Sequence, residues 1–488
     1  MGTVAWVVVI TTVYIILIVL LCFYIWRKCS RQHIGINLNE WQYPVKEFSR
    51  ADKDMKRRLK GLECVSGLDI CKRVWEKTTS VIDEILNTLL QEMRVAASEY
   101  EGLKLDGYRK QGSAREGLKI RTTDEFDVLL EYHIEGLWVE AEPLVDFGIP
   151  YPGLGKMKIH NPDHEIENQF TSWLRKGVIV KDKGIYFLNA RILHQAVFES
   201  MIDRCRGYVT NITTQNLPFQ LTRSMNQPSI KITIKRLKQT IGRGRKFVNL
   251  LLRKPKVPKV IDVDIVPAMT INLEEARGLR GSMKCPRYAV VKWIEASKPS
   301  AWCYENPAMI WRLCISGYEK HYMDLARKDR SKRYIMTACR IMKTFIEKEQ
   351  EKSRLGYQPL SISMFLSSYH LKNIAFHCML YTDSVKGVYE GLGYFLGFLK
   401  LCLEEEKLLQ FFRGNKFLKK DFPACAEGGQ VNLFRDVKKE TFFHVLGSFH
   451  TMLDHLYGLY DTDAFESVAN WKFRKSIKPI RNGTCSIS

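Results

Sequence analysis

Residues Gly112–Leu130 read GSAREGLKIRTTDEFDVLL. The closing run, Glu125-Phe126-Asp127-Val128-Leu129-Leu130, has the apolar content of a buried strand. In extended chain, side chains two apart share a face. Glu125 and Asp127 therefore point one way while Phe126 and Val128 point into a core. Two carboxylates side by side on a half-buried strand repel and are costly to desolvate, and a divalent cation is the usual remedy. The opening Gly112-Ser113 offers a tight turn, backbone N–H groups and a hydroxyl, all suited to a phosphate. A Gly-Ser turn followed by an acid-x-acid strand suits the binding of a metal-bound phosphate. An isolated Glu-x-Asp, by contrast, is most often a solvated sheet edge.

A third acid on a second strand shifts that balance. Val260-Ile261-Asp262-Val263-Asp264-Ile265-Val266-Pro267 is another apolar segment with alternating carboxylates. If the two strands are neighbours, Asp262 or Asp264 completes a set able to hold two metal ions, and the pattern alone offers both. Upstream, Lys231-Ile232-Thr233-Ile234 resembles a short strand. Between it and the acidic strand lies a very basic stretch that includes Arg243, Arg245 and Lys246.

The chain has 488 residues and a formal net charge of +22. That length allows one bilobal core or two domains. The charge predicts attraction to nucleic acid, nucleotides or anionic lipid without choosing among them. The 13 cysteines form no CxxC pair and no disulfide framework, so they are expected as reduced thiols in a reducing compartment. Val4 to Trp26 is nearly all apolar and uncharged. As a helix of about 34 Å it is long enough to span a bilayer. Arg27, Lys28 and Arg31 follow it and no basic residue precedes it. A single-pass protein with the bulk of the chain in the cytosol is therefore expected.

The expected organisation is a transmembrane anchor over 1–28, a polar linker over 29–52, an α+β core over 53–300, a helical lobe over 301–470 and a basic tail over 471–488. A long helical pattern begins near Lys53, with a break suggested by Gly61 and Gly67, and carries Lys72 and Arg73. Strands are expected near 129–135 and 156–160, and a helix over Asn189–Cys205. The pattern reads as helical from Trp311 onward. His444, His450 and His455 lack the i,i+4 spacing of a helical metal pair. Gly391-Leu392-Gly393 lacks the strand-turn-helix setting of a dinucleotide fingerprint.

GSAREGLKI (112–120), DEFDVLL (124–130), VDIVPAM (263–269), WRLCISGYEK (311–320) and LSSYHLKNIAFH (366–377) together resemble, in order, the landmarks of the Mab family of nucleotidyltransferases. That family includes cyclic GMP-AMP synthase and the animal cyclic GMP-AMP synthase-like receptors. The resemblance implies a bilobal nucleotidyltransferase fold, a mixed sheet with a spine helix plus a C-terminal helical lobe. It makes Glu125, Asp127 and Asp264 the catalytic, metal-binding acids for two Mg²⁺ or Mn²⁺ ions and leaves Asp262 without a role. Ser113, with Gln111 and Gly112 beside it, would contact the donor triphosphate, and Arg312 the acceptor. Lys343, Ser368 and Lys372 would hold the ATP side, and Tyr369 would stack on a base.

Two departures accompany the resemblance. The family's Ser-Phe-Ser after Trp-Arg-Leu is here Cys314-Ile315-Ser316, which removes a hydroxyl. The zinc insertion of the vertebrate synthase is replaced by HYMDLARKDRSKRYIMTACRIMK (321–343), which keeps only His321 and Cys339, so no zinc site is expected. Arg327, Lys328, Arg330, Lys332 and Arg333 make that region a basic surface for nucleic acid. The implied activity is synthesis of a cyclic dinucleotide from ATP and GTP on sensing double-stranded RNA or DNA, in innate immune signalling, with dimerisation on the ligand as the assembly to test. The competing expectation is a catalytically silent, membrane-anchored scaffold or channel-interacting protein of the same family. A lipid-headgroup surface is a further reading of the basic runs.

Overall fold

The computed structural model describes residues 72–112, 116, 118, 124–146, 149–209, 211–214, 217–226, 228–237, 257–278, 281–292, 306–382, 384–418, 422, 429–435 and 437–458. The apolar segment 4–26 and the linker after it lie outside these residues, as do Ser113, Arg243, Arg245, Lys246 and the basic tail. Among the described residues, no helix is long and apolar enough to cross a membrane. The chain is a mixed α+β protein that divides into two compact units. One comprises Leu62–Asp329 with Phe412–Val431, the other Arg330–Phe411 with Asn432–Ser467.

The first unit is built on a twelve-stranded sheet. Helix α1 (Lys72–Ala97) leads into strands β1 (Leu103–Gln111), β2 (Glu125–Ile134), β3 (Val139–Asp146) and β4 (Ile149–Ile159). Two short helices, α2 (Asp163–Gln169) and α3 (Thr171–Arg175), precede β5 (Ile179–Asp182) and β6 (Ile185–Leu188). Helix α4 follows, in three continuous parts: Ala190–Ile192, a π-helical run Leu193–Glu199, and Ser200–Val209. Asn189 caps it, its side-chain oxygen accepting from the Ile192 N–H at 3.0 Å. Then come β7 (Asn211–Thr214), β8 (Leu217–Asn226), β9 (Ser229–Arg236), β10 (Val260–Gly278), β11 (Gly281–Val291), β12 (Trp311–Cys314) and helix α5 (Ser316–Ala326). Strand order runs β5-β6-β4-β12-β11-β10-β9-β8-β7, with β2 also paired to β10, β1 to β2 and β3 to β4.

One sheet face explains why these residues fold together. Phe126, Val128 and Leu130 of β2, Ile261, Val263 and Ile265 of β10, and Ile230, Ile232 and Ile234 of β9 are all buried in a single core. Alternation with polar residues makes each strand two-sided. Helix α1 presents Val81, Ile82, Ile85, Leu86, Leu89, Leu90 and Met93 to the same core at helical spacing. Its Trp75 stacks on Phe126 with ring centroids 5.4 Å apart, and Phe198 of α4 meets Tyr132 at 4.6 Å.

The expectation of helix from Trp311 onward is corrected here. Trp311–Cys314 is strand β12, inserted between β11 and β4. Trp311 is fully buried, and its indole N–H donates to the Leu188 carbonyl at 3.1 Å. Helix begins only at Ser316. The second unit contains α6 (Arg330–Arg354), α7 (Ser361–Phe365), α8 (Ser368–Tyr381), α9 (Val388–Glu404) and α10 (Lys439–Gly458). Gly391 lies within this last group, on α9, where a Cβ would come 3.0 Å from the Tyr334 carbonyl of α6. It is a close-packing glycine, not a phosphate loop.

Candidate active site on the polar face of the sheet

Strand β10 pairs with β2 in parallel, with Asp262 opposite Glu125 and Asp264 opposite Asp127. On its other side it pairs antiparallel with β9, placing Asp262 opposite Thr233 and Asp264 opposite Lys231. Cross-strand partners share a face, so the four carboxylates occupy one patch on the side opposite the core. Neighbouring strands are about 4.8 Å apart, and like-facing residues about 6.7 Å along a strand. Glu125 and Asp127 are exposed, whereas Asp262 and Asp264 are half-buried.

Strand β9 meets the two β10 acids with polar side chains. The Lys231 ammonium lies 2.8 Å from Asp262 Oδ2. The Thr233 hydroxyl donates to Asp262 Oδ1 at 2.7 Å, and the Ser229 hydroxyl donates to Asp264 Oδ1 at 3.1 Å. The Asp262 backbone N–H donates to the Asp124 carbonyl at 2.6 Å. Burial works to raise the Asp262 pKa, but the hydrogen bonds from Lys231 and Thr233 outweigh it and hold the carboxyl below the usual aspartate value. Lys231 is pushed up by its bond to Asp262 and by the charges of Asp262, Asp264 and Glu125, against the opposing effect of burial.

Gly112 closes one edge of the patch. Its φ of +72° is a left-handed conformation, and a Cβ there would lie 2.0 Å from Asp127 Oδ2. A side chain at 112 and the present Asp127 carboxylate exclude each other. Gln111, opposite Asp127 in the β1–β2 pair, has a buried Nε2 with no hydrogen-bond partner. Arg312 is exposed on β12 and opposite Val290, which is opposite Ala268 of β10. Arg312 thus shares the acid face. Lys292, two residues beyond Val290, has its pKa lowered by burial and by the Arg312 charge.

Between the acids and the far end of the face is a small apolar cluster of Leu129, Ala268, Tyr288 and Val290. Beyond it Glu131 receives hydrogen bonds from Arg109 and from the Tyr288 hydroxyl. The acid patch is one polar end of this face.

The candidates Lys343, Ser368, Tyr369 and Lys372 belong to the second unit. Lys343 has a mostly buried side chain on α6, 4.0 Å from the Glu347 carboxylate. Ser368 and Tyr369 are exposed at the start of α8. The Tyr369 hydroxyl accepts from Gln410 Nε2 at 3.1 Å, and the Lys372 ammonium sits 5.5 Å from its ring centroid. Of the basic residues, Arg73, Lys328, Arg330 and Arg333 are exposed and Lys332 is half-buried. Lys72 opens α1. Arg327 is 3.1 Å from Asp324, and the Arg330 Nε donates to the Tyr334 hydroxyl at 3.0 Å.

By donor chemistry the acid patch fits a hard divalent ion, since carboxylate oxygens are what Mg²⁺ and Mn²⁺ take. The partnerless Gln111 Nε2 beside it is a donor that a phosphate oxygen can satisfy. The side chains as they stand gather no group of three or more metal-ligating residues at one point among the described residues. Asp262 is held by Lys231 and Thr233, and Asp264 accepts from Ser229. Sequence reasoning missed Ser229, Lys231 and Thr233 as site residues. The signal was present in Ser229-Ile230-Lys231-Ile232-Thr233-Ile234, whose isoleucines take one face and whose polar residues take the other. Compared with protein-family models and with curated proteins, the sequence matches none.

Proposed function

We propose that this chain is a metal-dependent nucleotidyltransferase of the Mab-family type. It would join ATP and GTP into a cyclic dinucleotide, as a membrane-anchored, cytosol-facing protein that responds to double-stranded nucleic acid. The observation that supports this reading is the parallel in-register pairing of β2 with β10, which aligns Glu125 and Asp127 with Asp262 and Asp264. A solvated edge does not explain it, because β2 lies between β1 and β10 and is not an edge.

Glu125, Asp127 and Asp264 would hold Mg²⁺ or Mn²⁺, which when bound neutralises triphosphate charge and lowers the pKa of an attacking ribose hydroxyl. The chain's own residues do the rest. Ser229 orients Asp264 and Thr233 orients Asp262 through their hydroxyls. Gly112, by lacking a side chain, leaves the Asp127 carboxylate its place. Gln111 supplies an amide donor, and the Arg312–Lys292 pair supplies positive charge on the same face for an incoming phosphate. Exposed Arg73, Lys328, Arg330 and Arg333 offer cations to a nucleic-acid backbone, with Lys72 beside Arg73 at the start of α1. Such binding weakens steeply as salt rises.

A second reading, the silent scaffold, is favoured by one specific observation: a lysine ammonium already stands among the acids. The full chain, purified in detergent and incubated with labelled ATP, GTP and Mn²⁺ with double-stranded RNA or DNA, separates the two. Release of pyrophosphate with a chromatographically identified cyclic product, abolished by E125A/D127A, supports the enzyme. Absence of pyrophosphate with every activator overturns it in favour of the scaffold.

A further inference from the structure

The helical unit leaves large apolar side chains open to solvent. Among the described residues, those more than half exposed are Val95 (70%), Trp138 (67%), Leu355 (75%), Tyr357 (59%), Met364 (64%) and Phe443 (79%). The last four belong to the helical unit and to elements that touch one another: the end of α6, α7 and the start of α10. Gln350 Nε2 of α6 donates to the Ser363 carbonyl of α7 at 2.8 Å. The Ile362 N–H of α7 donates to Ser448 Oγ of α10 at 3.2 Å. The Phe365 and Phe442 rings meet with centroids 5.5 Å apart, and Met364 and Phe443 are their chain neighbours. Gly356, with φ +84°, turns the chain between Leu355 and Tyr357. On α10 the buried residues are Phe442, Val445, Phe449 and Met452. That spacing leaves Lys439 and Phe443, one turn apart, on the outer side.

We propose that this apolar corner of the helical unit docks on the surface of an anionic bilayer, with Phe443, Met364, Tyr357 and Leu355 entering the interface. The proposal rests on the membrane-anchored part of the reading above and not on its catalytic part. An apolar cluster left open on a folded unit marks a docking site, and the sequence favours lipid as the occupant. Val4 to Trp26 is an uncharged apolar stretch of bilayer length, which tethers the chain where acyl chains are the nearest apolar phase. Lys438 and Lys439 are exposed beside Phe443, with Glu440 the neighbouring acid. Beyond α10, Trp471–Ser488 carries five Lys or Arg residues and no acid, with Trp471 and Phe473 among them. Aromatic and aliphatic side chains flanked by cations are the composition that binds an anionic interface.

Quenching by brominated lipid tests this without relying on turnover. The full chain is reconstituted in vesicles of phosphatidylcholine and phosphatidylserine, with a fluorescent coumarin amino acid in place of Phe443, Tyr357 or Lys386. Lys386 is an exposed control in the same unit. Its neighbour Val385 donates its N–H to Ser331 Oγ at 3.1 Å, at the opposite end of α6 and about 35 Å from Leu355 along the helix. Brominated acyl chains are expected to quench the label at Phe443 and at Tyr357 and to leave the Lys386 label at full intensity. M364E/F443E, read at Tyr357, should abolish the quenching, and K438E/K439E or omission of phosphatidylserine should reduce it. All four substituted side chains are exposed, so melting curves should match the wild type. No quenching at Phe443 and Tyr357, on vesicles that keep the chain through an alkaline wash, overturns the proposal alone. Cross-linking of two copies through Phe443 without quenching overturns it in favour of a second copy of the chain. A chain stripped from the vesicles by the wash overturns the anchored reading and this proposal with it.

Discussion

Replacing Gly112 by Ala tests whether the Asp127 carboxylate is needed where it lies. Two effects combine. Alanine at φ +72° costs about 1 to 2 kcal/mol for the left-handed backbone. The new Cβ would stand 2.0 Å from Asp127 Oδ2, 2.9 Å from its Cγ and 3.1 Å from its Cβ. The carboxylate must retreat by about 1.4 Å to reach the 3.4 Å at which ordinary contact begins. Asp127 is exposed, so it can turn into solvent, and the stability loss stays near the backbone cost. Turnover is far less tolerant, since misplacing a catalytic group by about 1 Å costs on the order of 100-fold. G112A should therefore lower the melting temperature by only a few degrees while cutting pyrophosphate release on the order of 100-fold and weakening Mn²⁺ binding. Gly107 lies on the same strand, and a methyl group added there would meet nothing within 4 Å, so G107A should leave both readouts near wild type. A folded G112A with wild-type turnover and Mn²⁺ affinity would refute the argument, because the displaced carboxylate would then have no part in the site.

Three further outcomes follow from the same kind of reasoning. Asn373 is fully buried; its Nδ2 donates to the Tyr369 carbonyl at 2.9 Å and its Oδ1 accepts from the Phe411 N–H at 3.0 Å. N373A should cost about 2 to 4 kcal/mol by orphaning buried backbone groups, with faster hydrogen exchange at the Phe411 amide as the check. His377 is held neutral by burial, which pulls its pKa down to about 4 against the opposing hydrogen bond to the Leu409 carbonyl. Its unfolded value is about 6.5, so the unfolded chain binds more protons between the two values. This stability is complete above pH 6.5 and is lost as pH falls toward 4, by roughly 3 kcal/mol in all. Denaturant titrations at about pH 7.5 and about pH 5 should show the loss. H377Q should flatten it in part, since His194 and His370 are also lowered by burial. Finally, K328E/R333E reverses two exposed charges and should weaken binding of double-stranded RNA, reducing its salt slope by about 0.9 for each phosphate no longer neutralised. Unchanged RNA binding with abolished binding to anionic vesicles would assign the surface to lipid.

How much of this could be read in the sequence depends on the range of the interaction. The two-sided character of β2 and β10 was legible, because period-2 alternation is local. A helix around Asn189–Cys205 was legible, although its continuation to Val209 and the π-helical run inside it left no local signature. Strand β12 was not legible. Trp311-Arg312-Leu313-Cys314 is too short for a period to separate from the helix that follows, and its strand state comes from pairing with β11 and β4. The choice between Asp262 and Asp264 was closed only by resemblance. In the structure both face the same side, and they differ in what β9 brings to them. Lys231 escaped notice for that reason. A lysine on an alternating strand reads as a solvated residue until the register shows what stands opposite.

That register is set from the far side of the sheet. A slip of β10 by one residue against β2 would separate the acids and ease their repulsion, yet the chain does not take it. It would turn Ile261, Val263 and Ile265, each fully buried, out to solvent at about 2 kcal/mol apiece. Asp262 and Asp264 would enter the core in exchange, at several kcal/mol each without partners. Carboxylate repulsion at the surface, softened by Lys231, Thr233 and Ser229, is worth only a few kcal/mol at these separations. The core therefore wins. The apolar residues between the acids thus fix the polar site, and V263D should erase it by unfolding the sheet, whereas D262N should leave the sheet intact.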